Sequence, residues 1–224
     1  MAINKPYRSI SDLADTIPVF PLPRAILLPR TQLPLNIFEP RYLAMFDDAM
    51  KSDRLVGMIQ PSATEASAQF DHPSLHTVGG VGRITQIAES GDGRYLITLS
   101  GVCRFRIVDE LPMQQLYRQC RVSYSEFAHD LEANAGEDEV DRPSVVDALR
   151  TFTKARGLRI DWDEIQRAPT EALINALSMM SPFGPSEKQA LLEADDLKSR
   201  AETLVAITEF ELARDGTTPP SALQ

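Results

Sequence analysis

The sequence predicts an α+β protein: a β-rich front half tending to an antiparallel barrel with one interposed helix, followed by a C-terminal helical bundle. Three observations carry this expectation. Nine of the 16 prolines fall in the first 73 residues, where a fixed φ and a missing N–H exclude long helix and central sheet throughout. Residues 75–125 alternate apolar and polar side chains between tight-turn signals, the pattern of short strands whose edges are removed by closure. From Arg142 onward the apolar period changes from two to that of a helix.

Taken in order, Ile17–Phe20 and Leu33–Phe38 are strand candidates whose prolines suit edges or strand starts. Pro40 occupies a tolerated first-turn position, and Tyr42, Met45, Phe46, Ala49 and Met50 follow a helical stripe. Leu55–Ile59 returns to strand, and residues 61–74 are loop by composition. Val81, Arg83, Thr85 and Ile87 lead into Gly91-Asp92-Gly93, a hairpin turn. The return strand sets Tyr95, Ile97 and Leu99 on one face. Beyond a bend or bulge at Gly101, Cys103, Phe105 and Ile107 alternate with Arg104 and Arg106. A last strand runs near residues 117–124. In the bundle, Val145, Val146, Leu149 and Phe152 share a face that Gly157 ends; Thr170 caps a second helix, Ser186 and Gln189 fit a capping box, and a longer helix covers 196–214. The expected division is an N-terminal extension at 1–14, the barrel at 15–128, an acidic linker at 129–141, the bundle at 142–214 and a flexible tail at 215–224.

The formal net charge is −9, and its location matters more than its sum. Residues 1–128 hold 13 basic and 13 acidic side chains, whereas residues 129–141 hold six acids and no Lys or Arg. Neither half has the basic excess of a duplex nucleic-acid binder. No stretch approaches the run of about 20 apolar residues that spans a bilayer, the N-terminus lacks an apolar signal region, and two cysteines make no disulfide framework. The expected location is cytoplasmic.

Most enzyme signatures are missing. No Lys follows a Gly, which removes a phosphate-cradling Walker loop. There is no Gly-x-Ser-x-Gly elbow, no His-Glu-x-x-His and no Cys-x-x-Cys. Gly79-Gly80-Val81-Gly82 lacks the spacing and following helix of a dinucleotide loop, and suits a bulge or strand crossing instead. His72 and His76 stand four apart, but in a loop interrupted by Pro73 and without a third ligand. Cys103, and equally Cys120, suits a buried structural position better than a nucleophile. No cofactor or metal is expected. Glu39-Pro40-Arg41-Tyr42 puts a charged pair at a strand-to-helix corner, either a corner staple with Glu39 satisfying helix N–H groups or a ligand contact. Arg104 and Arg106 share a strand face, which suits either a solvated surface or contact with an acidic peptide or RNA backbone.

These motifs, met in order, resemble the Lon N-terminal domain family, also called the Lon substrate-binding domain. The matching text is Ile17-Pro18-Val19-Phe20-Pro21-Leu22, Leu28-Pro29 and Leu33 through Tyr42. It continues through Gly57–Pro61, Val78–Ile84, Gly91–Tyr95 and Gly101–Ile107, then Glu187–Glu193 in the helical part. The resemblance implies a PUA-like β barrel followed by a helical bundle. It also implies a role in recognising and holding protein substrates. In full-length Lon proteases the ATPase and Ser-Lys peptidase lie further along the chain, and 224 residues leave no room for both.

The function expected is therefore a non-catalytic protein- or peptide-binding module, an adaptor in protein quality control. Its partners would be unfolded or peptide clients and a protease or chaperone, with no membrane. RNA binding, by analogy with PUA domains, is the alternative, and a hydrolase the third reading. Phe38, Arg41, Tyr42, Arg104 and Arg106 are the candidate peptide-contacting residues.

Overall fold

The computed structural model describes residues 6–62, 73–214 and 216. Two compact units emerge, one from Met1–Ala133 with Pro182–Leu192 and the other from Asn134–Ser181 with Glu193–Gln224. The strands are β1 (Thr16–Pro21), β2 (Gln32–Ile37), β3 (Leu55–Ile59), β4 (Val78–Glu89), β5 (Tyr95–Glu110) and β6 (Arg118–Ser123). The helices are α1 (Pro40–Met50), α2 (Arg142–Arg156), α3 (Trp162–Arg167), α4 (Thr170–Met180), α5 (Pro185–Glu193) and α6 (Leu197–Arg214).

In the first unit the strand order is β2-β5-β4-β3-β1-β6, and β6 pairs again with β5. That second pairing closes β1, β3, β4, β5 and β6 into a ring, with β2 lying along the first half of β5. Closure removes edges from every strand of the ring. One pairing departs from the antiparallel expectation: β1 and β3 run parallel, Val19 opposite Gly57. The return is made by β2, which runs antiparallel to β5 and so opposite to β1, before α1 leads the chain into β3 in its starting direction.

Inward residues fill the ring. Val19, Leu28, Ile59, Val81, Leu99, Phe105 and Cys120 are fully buried. The segment between β1 and β2 lies directly on β4 and β5. A Cβ at Gly80 would stand 1.9 Å from the Leu27 carbonyl oxygen, and one at Gly101 would stand 2.0 Å from that of Leu28. Only a residue without a side chain permits that approach, so the expected strand crossing is observed. The irregularity near Gly101 is also present, as a register shift that skips Val102 between Cys103 and Gly101. The N-terminal stretch is tied down by Tyr7, whose hydroxyl accepts a 2.9 Å bond from Arg83 Nε under a stacked guanidinium.

The segment Pro182–Leu192 belongs with the ring, so the bundle expected at 142–214 is divided. Gln189 Nε2 donates to the Val78 carbonyl at 3.1 Å, and Gln60 Nε2 donates to Pro185 O and to Gln189 Oε1, each at 3.0 Å. Gln189 is thereby a buried bridge to the sheet. Leu191 and Leu192 are buried beside it.

The second unit is helical. Its core comes from Leu149 and Phe152 of α2, Leu173 and Ile174 of α4, and Leu204 and Leu212 of α6. Asp141 caps α2 through the Ser144 N–H at 3.2 Å, and Gly157 ends it at φ 64°. Two local expectations change. The cap of α4 is Pro169 without a side-chain bond; Thr170 Oγ1 instead accepts from Arg142. Helix α3 went unforeseen, although Asp161 caps it through the N–H groups of Asp163 and Glu164. The acidic segment is also less open than expected. It contains short 3-10 turns at Ser125–Leu131 and Glu137–Glu139, the unit boundary falls within it, and Asp130 is buried.

Both cysteines are buried thiols. Burial pushes Cys103 up to about 12 and Cys120 up to about 11. Cys103 also donates to the Phe127 carbonyl at 3.3 Å. Neither should react with an Ellman-type disulfide reagent at pH 8 until denaturant is added, since thiolate and access are both missing. Fast labelling of the native protein would contradict these positions.

Candidate functional site

The corner that follows β2 builds the site. Pro40 starts α1 at its first position, and the apolar stripe Tyr42, Met45, Phe46 and Ala49 is buried as its spacing requires. The Tyr42 ring stacks on Phe20 of β1, centroids 4.0 Å apart at 21°. Phe46 meets Tyr95 of β5 at 4.5 Å. These contacts fix the helix entry, so the half-exposed Arg41 stands on a rigid base of which the buried Tyr42 ring is part. Glu39 makes no cap bond to the helix N-terminus. It instead accepts from Arg41 Nε at 3.0 Å, with NH2 at 2.9 Å, while the guanidinium lies 4.8 Å from the Tyr42 centroid. The pair is half exposed, so it contributes geometry more than stability.

Beside this corner is an open groove of about 210 Å³. Pro21, Pro23, Pro61 and Pro73 form much of its wall, with Tyr42 and Tyr117 as aromatic faces and Arg41 and Arg118 as cations. Met113 and Leu116, also on the lining, are 51% and 65% exposed. Tyr117 is held by donating to Asp48 Oδ2 of α1 at 3.1 Å. Burial, reinforced by that carboxylate, raises its phenol to about 12. Arg118 is fixed by two 2.6 Å bonds to Glu110 and one of 2.7 Å to the Pro73 carbonyl. Both cations are paired with acids, leaving a trough of mixed polarity walled by prolines and aromatic rings. Such a surface can hold an extended chain.

The expected site residues separate. Arg41 and Tyr42 line the groove. Phe38 is 56% exposed, with Arg94 5.8 Å from its ring. Arg106 is at the surface, paired with Glu126 at 2.6 and 2.7 Å and bonded to Thr77. Arg104 overturns its expectation. Strand alternation places it opposite Cys103 on an open face, yet it is 1% exposed. The turn Ser125–Leu131 and α5 cover that face of β5. Arg104 Nε and NH2 bond both oxygens of buried Asp130 at 2.9 Å, and NH1 bonds the Leu192 carbonyl at 3.1 Å. Asp130 also accepts the Arg104 backbone N–H at 2.8 Å. Phe127 lies under the guanidinium at 4.5 Å. Arg104 is a structural clamp with no surface to offer a peptide or RNA. Arg121 too is engaged, by Asp109.

Sequence reading missed Met113, Leu116 and Tyr117, because nothing in a loop's spacing says which side chains meet a distant helix. It also missed Asp130, one acid among six. Among the described residues no cluster of three His, Cys, Asp or Glu suits a metal ion. His72 lies outside the described residues. No described helix is long and apolar enough to cross a membrane.

Comparison with known proteins agrees with this architecture. The family model described as the ATP-dependent protease La (LON) substrate-binding domain matches residues 16–209. "Lon protease 2" of Myxococcus xanthus is 28% identical over 211 residues, covering 88% of this chain and 24% of that protein. "Lon protease" of Syntrophus aciditrophicus (strain SB) is 31% identical over 217 residues, covering 91% of this chain and 26% of that protein. The chain therefore spans about a quarter of the length of these relatives. Among solved structures, a Lon N-terminal domain protein from Xanthomonas campestris aligns with TM-score 0.61 at 22% identity, covering 85% of this chain and 97% of that one. The N-terminal domain of Mycobacterium avium complex Lon protease aligns with TM-score 0.63 at 19% identity, covering 86% and 97%.

Proposed function

We propose that this chain, which belongs to the LON substrate-binding domain family, works by binding unfolded or peptide segments of client proteins, without catalysis of its own. In this reading it is a cytoplasmic adaptor that presents clients to a protease or chaperone. One observation carries the proposal: the groove beside α1, where exposed Met113 and Leu116 face a wall of prolines and two tyrosines. Exposed apolar side chains gathered at a concave site mark an interaction surface. Arg41 and Tyr42 belong to it, and Phe38 stands at the corner between β2 and α1.

The test is capture of fluorescent, unfolded casein by the purified protein. The double variant Met113→Asp and Leu116→Asp is expected to bind at least about tenfold more weakly with an unchanged melting temperature, since both side chains are on the surface. Undiminished capture by that variant removes the groove. Casein cleavage by the pure protein would overturn the non-catalytic reading.

A further inference from the structure

Strand β2 is the end of the strand order. Among the described residues β5 pairs with one side of it and nothing pairs with the other. Register decides which backbone groups face outward. The Gly101 N–H donates to the Thr31 carbonyl at 2.8 Å and its carbonyl accepts from Arg30 N at 2.9 Å, a bulge that turns Gly101 toward β2, while the Ser90 N–H bond to the Arg94 carbonyl at 3.1 Å turns the even residues of β5 toward β4. Antiparallel alternation then assigns Leu33–Leu99, Leu35–Ile97 and Ile37–Tyr95 as the pairs bonded to β5. The backbone groups of Gln32, Pro34 and Asn36 point away from the sheet, and all three residues are exposed. Pro34 is consistent with this assignment, because a proline that faced β5 would break the ladder. The side chains on the adjoining face are uncharged: Pro34 and Asn36 stand beside Thr98 and Leu96, and beyond them Gln86 and Ala88. Leu96 is 52% exposed.

We propose that this edge takes an extended, proline-free segment of a client chain as an added strand. The proposal rests on the client-binding reading above and supplies its mode. Main-chain hydrogen bonds give sequence-tolerant affinity, which suits a binder of unfolded chains. Pro34 selects the occupant. Two copies of this protein paired edge to edge about Pro34 would set two donor-less residues opposite each other and lose both hydrogen bonds of that pair. A proline-free client places its own N–H on the Pro34 carbonyl and forgoes only one bond. The edge is thus protected against self-pairing and left open to a different chain. From Ile37 the chain runs on through Phe38 to the corner carrying Arg41 and Tyr42, so edge and groove are adjacent in sequence.

The probe is a fluorescent decapeptide of alternating valine and threonine, alongside the same peptide N-methylated at its three central residues. Methylation removes donors on both peptide edges while keeping the side chains. Wild-type protein is expected to bind the plain peptide at least tenfold more tightly than the methylated one. Asn36→Pro, which removes a second outward donor, should lose about tenfold in affinity with the circular dichroism of the wild type. Pro34→Ala, which restores a donor, should bind several-fold more tightly and form dimers by sedimentation. Equal binding of the two peptides to wild-type protein overturns the edge, whatever the variants do. If wild-type protein still captures casein in that case, the client-binding reading survives without the edge; if it captures neither, that reading fails too.

Discussion

Gly80→Ala is expected to prevent folding. The added methyl would stand 1.9 Å from the Leu27 carbonyl oxygen, and both groups are backbone-fixed inside a closed ring. No rotamer relieves the clash, so β4 or the Leu27 segment must move out of a core in which Leu27, Leu28 and Val81 are fully buried. A loss of more than about 4 kcal/mol is expected, among the largest single-residue effects. Gly101→Ala, with its 2.0 Å approach to Leu28, should behave alike. The control is Gly93→Ala in the hairpin turn. There φ is +81° and nothing lies within 4 Å of the added atom, so the cost is only the left-handed backbone, about 1 kcal/mol. Soluble yield and urea midpoints measure all three. A Gly80→Ala protein as stable as Gly93→Ala would refute the strand crossing.

The second large effect is expected at the buried Arg104–Asp130 pair. Asp130→Leu or Arg104→Met alone leaves a buried charge without its counter-ion, which costs about 3–5 kcal/mol. Arg104→Met with Asp130→Leu removes both charges and should recover much of the loss, because burying an ion pair carries its own desolvation penalty. Arg104 also holds the Leu192 carbonyl and its NH2 lies 3.1 Å from His129 Nε2. The double variant should therefore remain somewhat below wild type. Additive losses in the double-mutant cycle would show that the two side chains do not act as one unit. Arg106→Ala is the comparison: its bond to Glu126 is exposed, so its loss should be small.

Legibility in the sequence followed the range of the force that shapes each feature. The stripe of α1, the Gly91-Asp92-Gly93 turn, the edge placement of Pro34 and the stop at Gly157 all arise within a few residues, and each is found where the local pattern puts it. Arg41 and Tyr42, which line the groove, stand out in the sequence because they lie at a corner whose proline and charges are adjacent in the chain. Arg104 was misplaced because strand alternation assigns a face but not what covers it. The cover comes from residues 125–131 and α5, and the guanidinium reaches a carbonyl 88 positions away.

What the sequence by itself determined is the class and order of elements: a proline-punctuated β part with one helix, then a helical part, with the charge concentrated between them. Periodicity, turn chemistry and proline sterics act over one to eight residues and need no partner. Tertiary structure alone decided the parallel β1–β3 pairing, the grouping of α5 with the ring, the burial of Arg104 and Asp130, and the gathering of Met113, Leu116 and Tyr117 beside α1. Each depends on packing between segments distant in the chain. There desolvation and close approach choose among arrangements that local pattern leaves equally open.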